Sequence, residues 1–149
     1  MKVLVIDDER AILEMLELSL SSEGYDVLTA ENGEKALEIF EQQGPRLVLT
    51  DIKMPGIDGI EVLKRIKAMD ENAEVIVITG HGDMDTAVRA LQSGASDFVT
   101  KPVRDEVLML ALKRAQKKLA MSEQLEDYTE NLQEKMEECK LDLKQAQTN

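Results

Sequence analysis

The chain has 149 residues, 43% hydrophobic but only 3% aromatic and with no Trp, so it suits one ordinary domain whose core is aliphatic and Met. A net charge of −12 argues against direct contact with nucleic acid or an anionic membrane, and suits a site holding a divalent cation. The lone Cys139 excludes an internal disulfide, the first apolar run is too short for a secretion signal, and no stretch approaches the ~20 apolar residues of a membrane span, so the expected location is the cytoplasm.

Val3-Leu4-Val5-Ile6 is a continuous apolar run ending in Asp7-Asp8-Glu9, which reads as a first buried strand. Ile12, Leu13, Leu16, Leu18 and Leu20 follow at mostly helical spacing, and that helix closes at Gly24. Tyr25 to Ala30 is a second strand centred on Val27 and Leu28. Asn32-Gly33 opens a helix with Ala36, Leu37, Ile39 and Phe40 on one stripe, and Gly44-Pro45 ends it. The third strand, Leu47-Val48-Leu49-Thr50, delivers Asp51 at its end, and Met54-Pro55-Gly56 then breaks the chain away. A third helix carries Ile60, Val62, Leu63 and Ile66. Val75-Ile76-Val77-Ile78 is the most hydrophobic strand and leads to Thr79-Gly80-His81-Gly82. A fourth helix with Ala87, Val88 and Leu91 closes at Gly94, and Asp97-Phe98-Val99-Thr100 is a short fifth strand ending at Lys101-Pro102. Five alternations of strand and helix predict an α/β fold: a doubly wound parallel sheet with helices on both faces and right-handed crossovers.

No Gly follows Gly94 and no Pro follows Pro102, so nothing punctuates the last 47 residues. Val107, Leu108, Leu110, Ala111, Leu112, Ala115 and Leu119 predict a helix packed on the sheet. Beyond it, Leu125, Tyr128, Leu132, Met136, Cys139, Leu143 and Ala146 form a narrow stripe of the coiled-coil kind, with one stutter at Leu132 and a weak place around Ser122. Cys139 reads as a small seam residue rather than a redox sensor, because nothing basic lies close enough to favour its thiolate. The expected organisation is a globular domain over 1–120 and a signalling helix over 121–149 that makes a parallel homodimer. A solvated single helix is the competing reading, but one this polar is marginal alone in water. The acidity sits in the globular part: residues 1–102 hold 10 Lys and Arg against 20 Asp and Glu.

In a doubly wound sheet all strand ends share one edge, where ligands bind. Asp7, Asp8, Asp51, Thr79 and Lys101 therefore converge. Packed carboxylates repel and raise each other's pKa, and a cation relieves them; hard oxygen ligands suit Mg²⁺, with Mn²⁺ as the alternative. Lys101 supplies a point charge and Thr79 a hydroxyl for phosphoryl oxygens. An aspartate in that company is a nucleophile for phosphoryl transfer.

Asp7-Asp8, Asp51 with Met54-Pro55-Gly56 and Gly59, Thr79-Gly80 and Lys101-Pro102 resemble the receiver domain of bacterial two-component response regulators, over about residues 1–120. The resemblance implies the strand order 2-1-3-4-5. It also implies that Asp51 accepts a phosphoryl group from the phosphohistidine of a sensor histidine kinase or phosphotransfer protein. Asp7, Asp8, Asp51 and the backbone carbonyl of Lys53 would hold Mg²⁺, while Thr79 and Lys101 contact the phosphoryl oxygens. Phe98 takes the aromatic switch position, and the Lys101-Pro102 bond is expected to be cis. Lys53 and His81 flank the mouth of the site, where they would tune phosphoryl lifetime. Gly80-His81-Gly82-Asp83 and the stripe after residue 121 are similar to enhancer-binding regulators and receiver-first hybrid kinases. Such a protein is a signalling module acting on itself, with its output beyond residue 149.

Each of these residues also has a plainer reading. Asp7 and Asp8 could cap the first helix, Thr79 could simply end a strand, Lys101 could be a solvated charge and Phe98 a core aromatic. Two rival functions compete with the whole. An aspartate-nucleophile phosphohydrolase needs a second Asp two residues past the nucleophile, where this chain has Lys53, and a cap that no insertion supplies. A dimerising scaffold with a silent receiver is hard to reconcile with a complete set of acid, hydroxyl and lysine.

Overall fold

The computed structural model describes residues 1–80 and 83–121. Five strands, β1 (Lys2–Ile6), β2 (Asp26–Ala30), β3 (Leu47–Asp51), β4 (Glu74–Thr79) and β5 (Asp97–Thr100), alternate with α1 (Arg10–Ser22), α2 (Gly33–Gln43), α3 (Gly59–Met69) and α4 (Met84–Gln92). A fifth helix, α5, begins at residue 105. The strands pair in parallel in the order β2-β1-β3-β4-β5, as expected of a doubly wound sheet.

The sheet separates two apolar layers because successive side chains on a strand point to opposite faces. Leu4, Ile6, Val48, Val75 and Val77 pack with Phe40 of α2, Leu63 and Ile66 of α3 and Ala90 of α4. Val3, Val5, Leu49, Ile76 and Ile78 pack on the other side with Leu13, Leu16 and Leu20 of α1 and Leu108, Leu112 and Leu119 of α5. Burial on both faces is why β1, β3 and β4 are continuous apolar runs without alternation. Two helix starts are fixed locally: the Asn32 side chain accepts a hydrogen bond from the Lys35 N–H, and Asp58 accepts one from the Glu61 N–H, both at 2.8 Å.

Several helix-face assignments from sequence need correction. Leu18, Val88, Leu91, Val107 and Leu110 are exposed, Leu18 at 74%. Leu18 follows the buried Leu16 by two positions, about 200° around a helix of 3.6 residues per turn. The buried face of α4 is instead Ala87 and Ala90, small side chains that seat this helix close to the sheet. The second strand starts at Asp26 rather than Tyr25. His81 and the seam residues Leu125, Tyr128, Leu132, Met136, Cys139 and Leu143 lie outside the described residues. Among those described, no helix is long and apolar enough to cross a membrane.

Candidate phosphoryl-transfer site

The carboxyl ends of β1, β3, β4 and β5 bring Asp7, Asp8, Asp51, Thr79 and Lys101 to one edge of the sheet. Asp7 follows β1 directly and its N–H donates to the Ala30 carbonyl at 3.2 Å, which extends the β1–β2 pairing past the strand. The carboxylate is fully buried, and its Oδ1 accepts from the Glu9 N–H at 2.9 Å. That bond steadies the chain as it enters α1, whose N-cap residue Glu9 makes no side-chain cap. Asp51 closes β3 and is 4% exposed. Asp7, exposed Asp8 and Asp51 each offer a carboxylate oxygen, all within 4.8 Å of one another.

Behind Asp51 the chain turns sharply. Gly56 has φ +79, a conformation other residues rarely adopt. Gly59, the first residue of α3, donates its N–H to the Ile52 carbonyl at 2.8 Å. A Cβ at Gly59 would lie 2.7 Å from Ile52 Cα and closer still to the Asp51 carbonyl oxygen. Only a glycine lets α3 start hard against the strand that presents the acid.

Lys101 is placed from the other side. Its N–H donates to the Thr79 carbonyl at 2.8 Å, one step past β5, and a cis peptide bond to Pro102 turns the chain away. The ammonium lies 3.1 Å from Asp51 Oδ2 and 3.9 Å from Asp7 Oδ2. Thr79 is buried at the end of β4 and lines a cleft of about 170 Å³ with Asp8, Asp51, Lys53, Asp83, Thr86 and Lys101.

Burial raises the Asp7 carboxyl to about 6, against the Glu9 N–H bond and with help from the charge of Asp51. Burial also raises Asp51, while the hydrogen bond and charge of Lys101 pull it back down. For Lys101 burial works downward, but the bond to Asp51 and the charges of Asp51 and Asp7 outweigh it and leave the ammonium above its ordinary value. Asp7 Oδ2 is buried and accepts no hydrogen bond among the described residues. An orphaned buried carboxylate oxygen facing two other carboxylates is the donor set of a hard divalent cation, and these residues fit one.

Asp7, Asp8, Asp51, Thr79 and Lys101 meet at the sheet edge as expected from sequence, and Lys53 lines the cleft. Phe98 on β5 is half-buried against the core layer that holds α3 and α4. The Lys53 side chain is 73% exposed, and its ammonium pairs with Asp83 at 2.9 Å instead of reaching Asp51. Asp83 and Thr86 line the cleft and were not foreseen. An Asp ahead of an amphipathic run reads as an ordinary helix cap, and nothing in sequence ties it to Lys53, 30 positions away.

Comparison with known proteins agrees with this geometry. The family described as Response regulator receiver domain matches residues 3–113. The sporulation initiation phosphotransferase F of Bacillus subtilis is 40% identical over 113 residues, 76% of this chain and 91% of that protein. The DNA-binding transcriptional regulator NtrC of Escherichia coli is also 40% identical over 113 residues, but they make up only 24% of its length. A receiver domain protein from Clostridium thermocellum superposes with a TM-score of 0.75 at 36% identity, covering 83% of this chain and 98% of that one. NtrX from Brucella abortus gives 0.82 at 36% identity, covering 85% and 29%. The chain thus spans most of some relatives and about a quarter of others. With its family signature, its sheet order and its acidic edge in agreement, the chain belongs to the receiver domains of two-component response regulators.

Proposed function

We propose that Asp51 is the phosphoacceptor, taking a phosphoryl group from the phosphohistidine of a sensor histidine kinase or phosphotransfer protein. The observation that carries this reading is the 3.1 Å bond from Lys101 to a buried Asp51 that opens onto the cleft. Lys101 holds Oδ2, which leaves the other carboxylate oxygen to attack phosphorus. The new P–O bond forms as the P–N bond to the donor imidazole breaks, and the imidazole nitrogen departs with the bonding pair and takes up a proton. The Lys101 ammonium then meets one phosphoryl oxygen and the Thr79 hydroxyl donates to another.

Asp7, Asp8, Asp51 and the Lys53 backbone carbonyl would hold Mg²⁺. Bound there, the ion supplies positive charge to the phosphoryl oxygens and relieves the carboxylate repulsion. Phe98, on the neighbouring strand opposite Val77 and two positions before the level of Thr79, would follow the Thr79 hydroxyl as it turns to the phosphoryl group. This makes the domain a signalling module that catalyses its own modification and loses it to water. The reading implies residence in the cytoplasm and no direct nucleic-acid contact by this chain. The organisation over 1–120 and 121–149, with a homodimer through the apolar seam from Leu125 to Ala146, rests on sequence alone. Sedimentation of 1–149 against 1–119 tests it, and a monomeric longer chain refutes it.

The acceptor is tested with Mg²⁺ and acetyl phosphate by intact mass. The wild type gains one phosphoryl group and Asp51→Asn gains none. Undiminished labelling of that variant moves the acceptor elsewhere.

A further inference from the structure

The N-terminus of α4 departs from those of α2 and α3. Asn32 and Asp58 sit with extended backbone, ψ 167 and ψ 170, and cap their helices through the N–H three residues on. Asp83 occupies the same position before α4, yet it has φ −92 and ψ 46 and its side chain caps nothing. A capping residue needs the extended backbone that Asp83 lacks. Its carboxylate is spent on Lys53, with Nζ 2.9 Å from Oδ2. That same oxygen leans on Gly80, where a Cβ would come within 3.1 Å of it. The Asp83 N–H donates to the Gly80 carbonyl at 3.2 Å, which ties Asp83 to the residue that follows Thr79.

Resting on the acceptor reading of Asp51, we propose that Asp83 is a two-position carboxylate that reports the state of the cleft to α4. In the unmodified domain Lys53 holds it away from the helix. Both residues line the cleft that receives the phosphoryl group. The acyl phosphate carries roughly −1.5 to −2 where the Asp51 carboxylate carried one negative charge. The cleft thus gains up to about one negative charge, set further out toward its mouth, which attracts the Lys53 ammonium and repels the Asp83 carboxylate. Released, Asp83 swings to extended backbone and accepts from the Asp85 or Thr86 N–H, completing the missing cap. A solvated ion pair and a helix cap contribute comparably small amounts, so a nearby charge of this size is enough to exchange them. Lys53 and Asp83 are positioning residues here, and neither reacts.

Amide hydrogen exchange at Asp85 and Thr86, followed by NMR on the full chain, tests the exchange of partners. Lys53→Met should slow both amides about fivefold in the unmodified domain, the effect of gaining a cap. Lys53→Arg keeps the pair and should exchange as wild type. Beryllium fluoride with Mg²⁺, a stable stand-in for the acyl phosphate, should slow the wild-type amides to the same degree and leave Asp83→Ala fast. Equal exchange in Lys53→Met and wild type overturns the proposal whatever happens at Asp51. Shifts at Asp51 without slowing at Asp85 and Thr86 overturn the coupling. No shift at Asp51 instead overturns the acceptor reading, a failure distinct from either.

Discussion

The Lys101 ammonium reaches over the end of β4 to hydrogen-bond Asp51 on β3 at 3.1 Å, which leaves it 3.9 Å from Asp7 on β1. One cation thus offsets two buried carboxylates on strands it does not neighbour, and the balance is incomplete, since Asp7 and Asp51 both stay above their ordinary pKa. Removing that cation should be felt in stability as well as chemistry. Lys101→Met should lower metal-free stability at pH 7 by about 1–2 kcal/mol, less than for a fully buried pair because the ammonium is partly solvated. The loss should shrink as pH falls through about 6, where Asp7 takes up its proton. A pH-independent loss would mean that Lys101 contributes by packing.

Asp7 sets a pH dependence of opposite sense to the usual acidic residue. Its folded pKa of about 6 lies above the ordinary value of 3.8, so the folded state binds the proton more tightly. The stability this contributes is fully present below about 3.8 and is lost as pH rises through about 6. Metal-free melting temperature should therefore fall across that window, and Asp7→Asn, which still accepts from the Glu9 N–H, should reduce the fall to the share that Asp51 contributes. At pH 7 without metal the variant should be the more stable protein, and excess Mg²⁺ should stabilise the wild type selectively. A less stable Asp7→Asn at pH 7 in EDTA would make Asp7 a structural cap.

Gly59 links the acceptor to the packing behind it. With backbone rather than a flexible side chain in the way, Gly59→Ala forces α3 and the end of β3 apart, at the upper end of the ~1–3 kcal/mol typical of overpacking. Denaturant midpoints measure this, and acetyl phosphate labelling should fall even where the variant is fully folded. A wild-type midpoint with wild-type labelling would show that the turn has slack.

The sheet and the acidic edge were legible because strands buried on both faces announce themselves as apolar runs, and the residue ending each run must lie on the ligand edge. Asp7, Asp51, Thr79 and Lys101 follow from that rule alone. Helix faces were less legible, because a Leu, such as Leu18, can stand alone on a solvated face, whereas Ala87 and Ala90 carry little hydrophobic signal though they form the contact. Neither the pairing of Lys53 with Asp83 nor the missing α4 cap could be read, since both depend on how two loops approach in space.

A second trio of the same chemical types tests the rule itself. At the opposite edge of the sheet Glu74 opens β4, is 3% exposed and accepts a hydrogen bond from the Ser96 hydroxyl, with Lys118 Nζ of α5 at 3.8 Å. Acid, hydroxyl and lysine meet there as they do around Asp51. Here the hydroxyl is committed to the carboxylate, and the strands begin rather than end, so the trio ties the base of β4 and the turn before β5 to α5. Ser96→Ala should cost about 1–3 kcal/mol, because it takes a hydrogen bond from a buried carboxylate. Glu74→Gln keeps an acceptor for Ser96 and gives up a pair whose lysine is largely solvated, so it should cost less than about 1 kcal/mol. Both variants, once folded, should label with acetyl phosphate at the wild-type rate, because the full length of β4 separates them from Thr79 and the cleft. Slower labelling in Glu74→Gln at unchanged stability would show that this lower trio communicates with the acceptor through β4.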